Sequence, residues 1–528
     1  MATNYEPADP LAKGIIPTAR QSFADLFKWK QRVVVTNEVG ETHAEWQSPT
    51  PLRNPFSLMA MLGARDWVFF FVGWFAWTAD AFDFHALSIQ TVKLSKYYHT
   101  SKTAITTAIT LTLLLRSVGA TIFGLLGDRY GRKWPMVINL IVLGALQIGT
   151  IYSATFQQFL AVRSLFGLFM GGVYGNAVAM ALENCPTEAR GFMSGILQQG
   201  YSFGYVLAAI TNLGVGDAVE SWKTVFWVAA GLSFAAGLLR CCFPESKQFR
   251  EAKAAGKHIT ATDFWIETKE MLTNEWRMCV YCTILMSWFN YYSHTSQDSY
   301  TTFCLVQKEL PNDAATRASI LMKTGAVVGG SIMGYVSQWF GRRRSIVLAA
   351  FISGLLIPAW ILVEGERALS VTSFFIQFFV QGAWGIIPSK HQTRLYRKTL
   401  LTSTDLRTVH LSELSPPAYR STFPGLTYQL GNAISSPSAQ IVNAISESHF
   451  VRSKSGDIVE AYGPTMGIAT AIIVLGIMVT TALGPEKRGR EFEGGPIGAN
   501  IHHDEEKAID SASLDDKSTT IGEKDVRN

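Results

Sequence analysis

The side chains of this chain that can do chemistry stand in apolar surroundings. Asp80 and Asp83 lie one helical turn apart in "WTADAFDFH", and Arg116 lies in "LTLLLRSVGA". A third group, "NYYSHTSQDSYTT" over residues 290–302, follows the apolar run "CVYCTILMSWF". An ionisable side chain in the middle of a membrane-spanning helix costs about 2.5–3.5 kcal/mol even on the mildest scale, so each one marks a function by default. Arg116 cannot shed its charge and needs an anion. Its planar fork suits a carboxylate, either that of a bound substrate or those of Asp80 and Asp83 in an ion pair locking two helices together. At about 100° per residue, Asn290, His294, Gln297 and Asp298 share an arc of roughly 100°, a polar face fit to line an aqueous cavity. The alternative is the wet outer end of a helix. His294 and Asp298 are one turn apart, and a histidine–carboxylate pair can take up and release a proton near neutral pH. Gln429 and Asn432, spaced i, i+3, and Gln199 add amides suited to a carboxylate or hydroxyl, or to bonding between helices.

These residues need helices that cross a bilayer to hold them. The chain has 528 residues, 48% hydrophobic and 16% charged, where soluble proteins carry about 25% charged. The mean hydropathy of +0.16 is low because polar tails dilute an apolar middle. A net charge of +5 without a basic stripe gives no sign of nucleic-acid binding. The six cysteines sit in or beside apolar runs and read as buried thiols. Cys279-x-x-Cys282 lacks the second pair a zinc site needs. No signal peptide is expected at the polar N-terminus.

Runs of roughly 20 apolar residues, enough to span a bilayer, fall near 66–88, 104–127, 134–153, 157–182, 192–213 and 223–243, then near 277–301, 315–338, 345–363, 369–388, 421–445 and 463–484. We number them spans 1 to 12. The expected organisation is an N-terminal tail (1–65), a six-helix bundle (66–243), a charged central loop (244–276), a second bundle (277–484) and a C-terminal tail (485–528). Lys and Arg concentrate in the loops after the even-numbered spans, which places both tails in the cytoplasm. Arg163 is expected at the outer edge of span 4 and Lys323 near the outer end of span 8, as an anchor or a pore-lining residue.

The halves repeat each other. "GLLGDRYGRKW" (124–134) corresponds to "GYVSQWFGRRRS" (334–345), and "ENCPTEARGFMSGILQQ" (183–199) to "ELSPPAYRSTFPGLTYQ" (413–429). The repeat and the GxxxDRxGRK pattern resemble the major facilitator superfamily over about 66–490. That resemblance implies an all-α fold of 12 transmembrane helices in two pseudo-symmetric six-helix bundles. It also implies a cytoplasmic charge latch built from Asp128, Arg129, Arg132, Glu183 and Arg190 and their counterparts Arg342, Glu413 and Arg420. Gln338 replaces the aspartate of the second copy.

Within that superfamily, Asn290, Ser293, His294, Ser296, Gln297, Asp298 and Thr302 form N-x-x-S-H-x-S-Q-D-x-x-x-T, seven fixed residues in 13 positions. This is similar to the signature of the fungal lactate/pyruvate–proton symporters, and "QLGN" (429–432) extends the likeness. The resemblance implies plasma-membrane uptake of short monocarboxylates with a proton as coupling ion and no other cofactor. It implies proton coupling at His294 and Asp298, with Asp80 and Asp83 as further candidates from the residues. It implies substrate recognition by Gln429 and Asn432, to which Arg116, Asn290, Ser293, Gln297 and Gln199 are added. Alternatives are a dicarboxylate-preferring symporter of the same family, a facilitator for an uncharged sugar, and a nutrient sensor. Partners are the substrate, the proton and the lipid bilayer, with Lys507, Lys517 and Lys524 as candidate ubiquitin-ligase targets. Nothing resembles the catalytic site of a soluble enzyme.

One stretch breaks the repeat. Gly175 precedes Glu183 by eight residues, but Gly385 precedes Glu413 by 28. The excess, about 389–409, is either a loop insertion or a short intron translated in frame. The second reading is favoured because the stretch interrupts the last turns of a helix. Sequencing the spliced transcript should show the codons for 389–409 removed; a mature message retaining them makes the stretch a true insertion.

Overall fold

The computed structural model describes residues 19–36, 42–48, 54–183, 185–245, 276–386 and 422–484, with a few isolated positions besides. Residues 389–409 and both distal tails lie outside the described residues, as do Glu413 and Arg420. Span 1 is Ala64–Ile89, span 2 Lys102–Tyr130, span 3 Lys133–Ile151, span 4 Phe156–Glu183 and span 6 Trp222–Cys241. In the second half, span 8 is Asn312–Phe340, span 9 Arg342–Leu362, span 10 Glu366–Ile386 and span 12 Tyr462–Leu483.

The other three spans are each broken into two helices. Span 5 is Thr187–Gln198 and Gly200–Gly214, span 7 is Trp276–Gln297 and Tyr300–Val306, and span 11 is Thr422–Ser435 and Ser438–Ser448. Pro437 accounts for the break in span 11, since its ring lacks the N–H a helix interior needs. Eight described helices are long and apolar enough to cross a membrane uninterrupted; spans 1, 5, 7 and 11 are not among them. Those four are two repeat-related pairs, and they carry the polar residues singled out above apart from Arg116 of span 2, Arg163 of span 4 and Lys323 of span 8.

The repeat recurs contact for contact. Gly131 and Gly341 end spans 2 and 8 with φ of 92° and 100°, a region costly for side chains other than glycine. Span 2 packs on span 4 so closely that a Cβ on Gly119 would lie 1.7 Å from the Leu168 carbonyl oxygen. At the equivalent place, a Cβ on Gly329 of span 8 would lie 2.0 Å from the Phe378 oxygen of span 10. Without a driving force between apolar helices in lipid, such close backbone approach is a main source of cohesion.

Two seams join the halves, and they too are repeat mates. In one, span 2 meets span 11: Lys102 Nζ lies 2.6 Å from Glu460, the Thr103 amide and hydroxyl donate to Glu447, Gln440 bonds Thr107 and Thr110, and Ser117 donates to the Gln429 carbonyl. In the other, span 5 meets spans 7 and 8 through Tyr205–Thr301 at 2.9 Å and Asn212–Thr316 at 2.9 Å. A small antiparallel hairpin, β3 (Phe450–Arg452) with β4 (Ile458–Glu460), carries Glu460 at one end of the bundle.

The opposite, arginine-rich end is tied within each half. Glu245 accepts from the Lys133 amide, and the side chain of Arg343, the repeat mate of Lys133, donates to the Thr481 and Ala482 carbonyls closing span 12. The N-terminal segment is also built onto this end. Its helix Ala19–Asp25 presents the Ser22 carbonyl to Arg343, the Leu26 carbonyl accepts from Arg344, and Trp29 packs on Trp339 at 5.0 Å. An antiparallel hairpin, β1 (Gln31–Thr36) with β2 (Thr42–Gln47), follows.

Gly329→Leu should destabilise the detergent-solubilised protein by at least the roughly 1–3 kcal/mol of ordinary overpacking, read as a lower melting temperature. Gly175→Ala, where an added Cβ meets nothing within 4 Å, should melt like the parent.

Candidate functional site

Span 7 turns its polar face inward at every position. Asn290, Ser293, His294, Gln297 and Asp298 are each 0–6% exposed, and Ser299 to Thr302 are buried as well. The wet-end alternative for 298–302 is thereby corrected: the helix breaks after Gln297 and its second piece stays inside the protein. His294 Nδ1 lies 2.8 Å from Asp298 Oδ2, while Asp298 Oδ1 has no hydrogen-bond partner among the described residues. Gln297 donates to Ser293 Oγ at 2.9 Å, and Gln381 of span 10 donates to the same hydroxyl at 3.1 Å. Gln377, one turn before Gln381, donates to Ser296 Oγ at 2.9 Å. Most of the signature is thus locked into one hydrogen-bonded sheaf, while Asn290 keeps an unpartnered Nδ2.

Facing it from the first half is Arg116, 3% exposed, with its guanidinium 5.3 Å from the Trp77 ring. The nearest acid is Asp80, at 4.0 Å from Nη2, too far for a hydrogen bond. Neither Asp80 oxygen nor Arg116 Nη2 has a hydrogen-bond partner among the described residues. Spans 1 and 2 are thus joined by an ion pair at its outer limit with no hydrogen bond in it, and the buried guanidinium keeps Nη2 for an incoming anion. Trp77, Tyr174, Tyr428 and Trp384 make successive ring contacts from Arg116 to the second half, with centroids 4.5–6.3 Å apart, and Tyr201 stacks on Trp77 at 5.6 Å.

Asp83 lies elsewhere. It accepts from Ser233 Oγ of span 6 at 2.5 Å, and Gln147 of span 3 binds its carbonyl. Gln147 also accepts from Arg163, whose charge is within electrostatic reach of Asp83. Arg163 is 0% exposed and lies 4.0 Å from the Phe166 ring. This corrects its expected place at the outer edge: partners from spans 1, 3 and 6 hold it in the core of the first half. Asp83 and Arg163 thus form a structural polar core, separate from the pair at His294.

Of the two places open to Lys323, the structure excludes the lipid-facing anchor. The lysine is 0% exposed, donates to Gln297 Oε1, and stands 4.6 Å over the Tyr205 ring. His85 is the residue the sequence did not single out. It is fully buried, edge-on to Tyr201 and Tyr205 at 4.6 and 4.9 Å, and neither ring nitrogen has a hydrogen-bond partner among the described residues. A signal existed for the missed glutamines: Gln377 and Gln381 are spaced i, i+4 in an otherwise apolar run, as Tyr201 and Tyr205 are in span 5.

Gln429 and Asn432 fall in the span 11 piece that meets span 2, each with an unpartnered buried amide atom. Gln199 occupies the break in span 5, its amide nitrogen 2.1 Å from where a Cβ on Gly330 would stand. Of the expected latch, Arg342 is buried and Arg132 half-buried at the arginine-rich end. The side chains of Asp128, Arg129, Glu183 and Arg190 lie outside the described residues.

Two pseudo-repeated six-helix halves, hydrogen-bonded across two equivalent seams and enclosing a buried polar site between them, define a multi-pass membrane transport protein. The Major Facilitator Superfamily model matches residues 67–398. A "Carboxylic acid transporter protein homolog" of Saccharomyces cerevisiae is 30% identical over 88% of this chain and 75% of its own length. A "Probable 4-methylmuconolactone transporter" of Cupriavidus pinatubonensis is 22% identical over 79% of this chain and 90% of its own. Among solved structures, the xylose transporter from E. coli in a partially occluded inward-open conformation superposes with a TM-score of 0.59 over 78% of this chain and 97% of its own, at 14% identity. The chain belongs to the major facilitator superfamily of transporters and is not an enzyme.

Arg163→Ala should leave Asp83 as an uncompensated buried charge and cost about 3–5 kcal/mol. Thermal unfolding in detergent should show this, with substantial recovery in Arg163→Leu/Asp83→Asn.

Proposed function

We propose that this chain is a proton-coupled symporter for short-chain monocarboxylates, with lactate and pyruvate foremost and acetate and propionate as smaller members of the class. The observation that carries the reading is a buried histidine–carboxylate pair, His294 and Asp298 at 2.8 Å, in a site that also holds Arg116 with donors to spare. The relative from Saccharomyces cerevisiae, described as a carboxylic acid transporter homolog, supports the choice of substrate class.

The formal charges inside the spans explain why a proton accompanies the anion. Among the described residues, and leaving aside Arg240, Arg342 and Arg343 at the arginine-rich helix ends, three buried acids, Asp80, Asp83 and Asp298, are matched by three buried bases, Arg116, Arg163 and Lys323. A carboxylate entering this neutral interior adds one negative charge, which is expensive in low dielectric. One proton on the His294–Asp298 pair cancels it. The loaded carrier is then as neutral as the empty one, and the membrane potential does no work on the loaded step. The driving force is the pH difference, about 1.4 kcal/mol per unit, so two units support roughly a 100-fold gradient.

In this reading Arg116 binds the carboxylate. Gln429, Asn432, Asn290 and Gln199 bond its remaining oxygens, and Ser293 and Gln297 brace the proton pair. Asp80 offsets the guanidinium while the site is empty. The two halves rock about the site, the seams at the hairpin end and the latch at the arginine-rich end opening in turn. The protein resides in the plasma membrane with both termini cytoplasmic, and the arginine-rich end faces inward.

Labelled lactate uptake in a yeast lacking its own permeases should be several-fold faster at external pH 5 than at pH 7.5. Asp298→Asn should abolish both the pH dependence and accumulation above equilibrium. Uptake that ignores pH in the parent, or that keeps its pH profile in the variant, refutes the coupling.

A further inference from the structure

Lys323 is the buried cation that the reading above leaves without a task. It projects from span 8, twelve positions into a helix beginning at Asn312 and so about 16 Å from that end. That depth excludes a lipid-facing anchor, and the side chain is 0% exposed. Its one described hydrogen bond goes to Gln297 Oε1, a neutral acceptor inside the signature. An ammonium has three donors, so a single amide leaves it under-satisfied. The groups facing it are Gln297 and Asp298 of span 7, Tyr201 and Tyr205 of span 5, and His85 of span 1. Asp298 is the one anion among them, and its Oδ1 is unpartnered.

Two cations therefore flank the site from opposite halves, Arg116 from the first and Lys323 from the second. Their electrostatic situations differ. Arg116 is offset by Asp80, which makes no hydrogen bond to any described proton carrier. Lys323 is offset by Asp298, which shares a hydrogen bond with His294. Neutralising the His294–Asp298 pair leaves Asp80–Arg116 unchanged but strips Lys323 of its counter-charge. A buried ammonium without one either binds another anion or gives up its proton.

We propose that Lys323 is the second substrate-binding cation, and that the transported proton makes it available: protonating the His294–Asp298 pair removes the negative charge beside Lys323, and the substrate's carboxylate supplies that charge instead. This rests on the symporter reading and deepens it by naming the group through which proton and anion binding are linked. The linkage is reciprocal, so anion bound at Lys323 raises the affinity of the pair for its proton. It also gives the substrate a charged contact in each half, which sets the carrier to close around an occupied site.

The test is a double-mutant cycle in the same uptake assay, with every variant checked for surface display and monodispersity in detergent. Asp298→Asn should leave Lys323 permanently without a counter-charge and give lactate exchange that is independent of pH and does not accumulate. Lys323→Gln should leave Asp298 as an unmatched anion beside the substrate and cut uptake at least tenfold at pH 7.5, with partial recovery at pH 5. Lys323→Gln/Asp298→Asn should regain exchange several-fold above Lys323→Gln, again independent of pH. Lys323→Met replaces the Gln variant if the latter is poorly displayed. A Lys323 variant with the parent's KM and pH profile overturns the proposal, as does a double variant no better than Lys323→Gln. Should Asp298→Asn itself keep the parent's pH-driven accumulation, proton coupling through Asp298 fails first, and the role of Lys323 fails with it.

Discussion

Electroneutrality in a low-dielectric interior is the constraint on which this structure turns. An unpaired charge of either sign inside the spans costs several kcal/mol, comparable to the net stability of a whole domain. The protein meets that constraint by matching acids and bases, but in two different ways. Asp83 accepts from Ser233, and Gln147 links the Asp83 carbonyl to Arg163, so this acid and base are held by neighbours within one half. Asp80, Arg116 and Asp298 stand at the interface between halves with unpartnered polar atoms, and Lys323 there has a single described hydrogen bond, to a neutral amide. The first arrangement holds a bundle together. The second leaves room for a partner from outside, and a partner that is charged has to arrive with its compensation.

Geometry around the site follows from the same constraint. A polar cavity needs helices that are not apolar throughout, and spans 1, 5, 7 and 11 are the ones that depart from the uninterrupted apolar pattern. Their neighbours compensate. Span 2 is pressed onto span 4, and span 8 onto span 10, at glycines that admit no side chain. Each half thereby has a stiff pair of helices beside its interrupted ones. Rigid halves with an adaptable interface are what a rocking motion requires.

Much of this was legible in the sequence. Helix positions followed from apolar runs, and the internal repeat fixed which spans correspond, down to Gly131 with Gly341. The 290–302 signature located the polar face and the His294–Asp298 pair, because an i, i+4 relation is local. Relations between distant segments were not legible. Arg163 looked peripheral because it lies near the start of span 4, and nothing local reveals that Gln147 and Asp83 converge on it. Lys323 was ambiguous for the same reason, and His85 was passed over beside two aspartates. The breaks in spans 5 and 7 carry no proline to announce them. The docking of Ser22 and Leu26 carbonyls onto Arg343 and Arg344 joins residues more than three hundred positions apart.

The seam at the hairpin end has a consequence of a different kind. Lys102 and Glu460 are 17% and 23% exposed, so their attraction is partly screened by dissolved ions. The seam deeper in, from Thr110–Gln440 to Ser117–Gln429, is made of neutral hydrogen bonds that ions barely affect. The strength of closure at that face therefore depends on the ionic strength of the medium bathing it. Dilute surroundings favour the carrier shut on that side, and saline ones loosen it without touching the binding site.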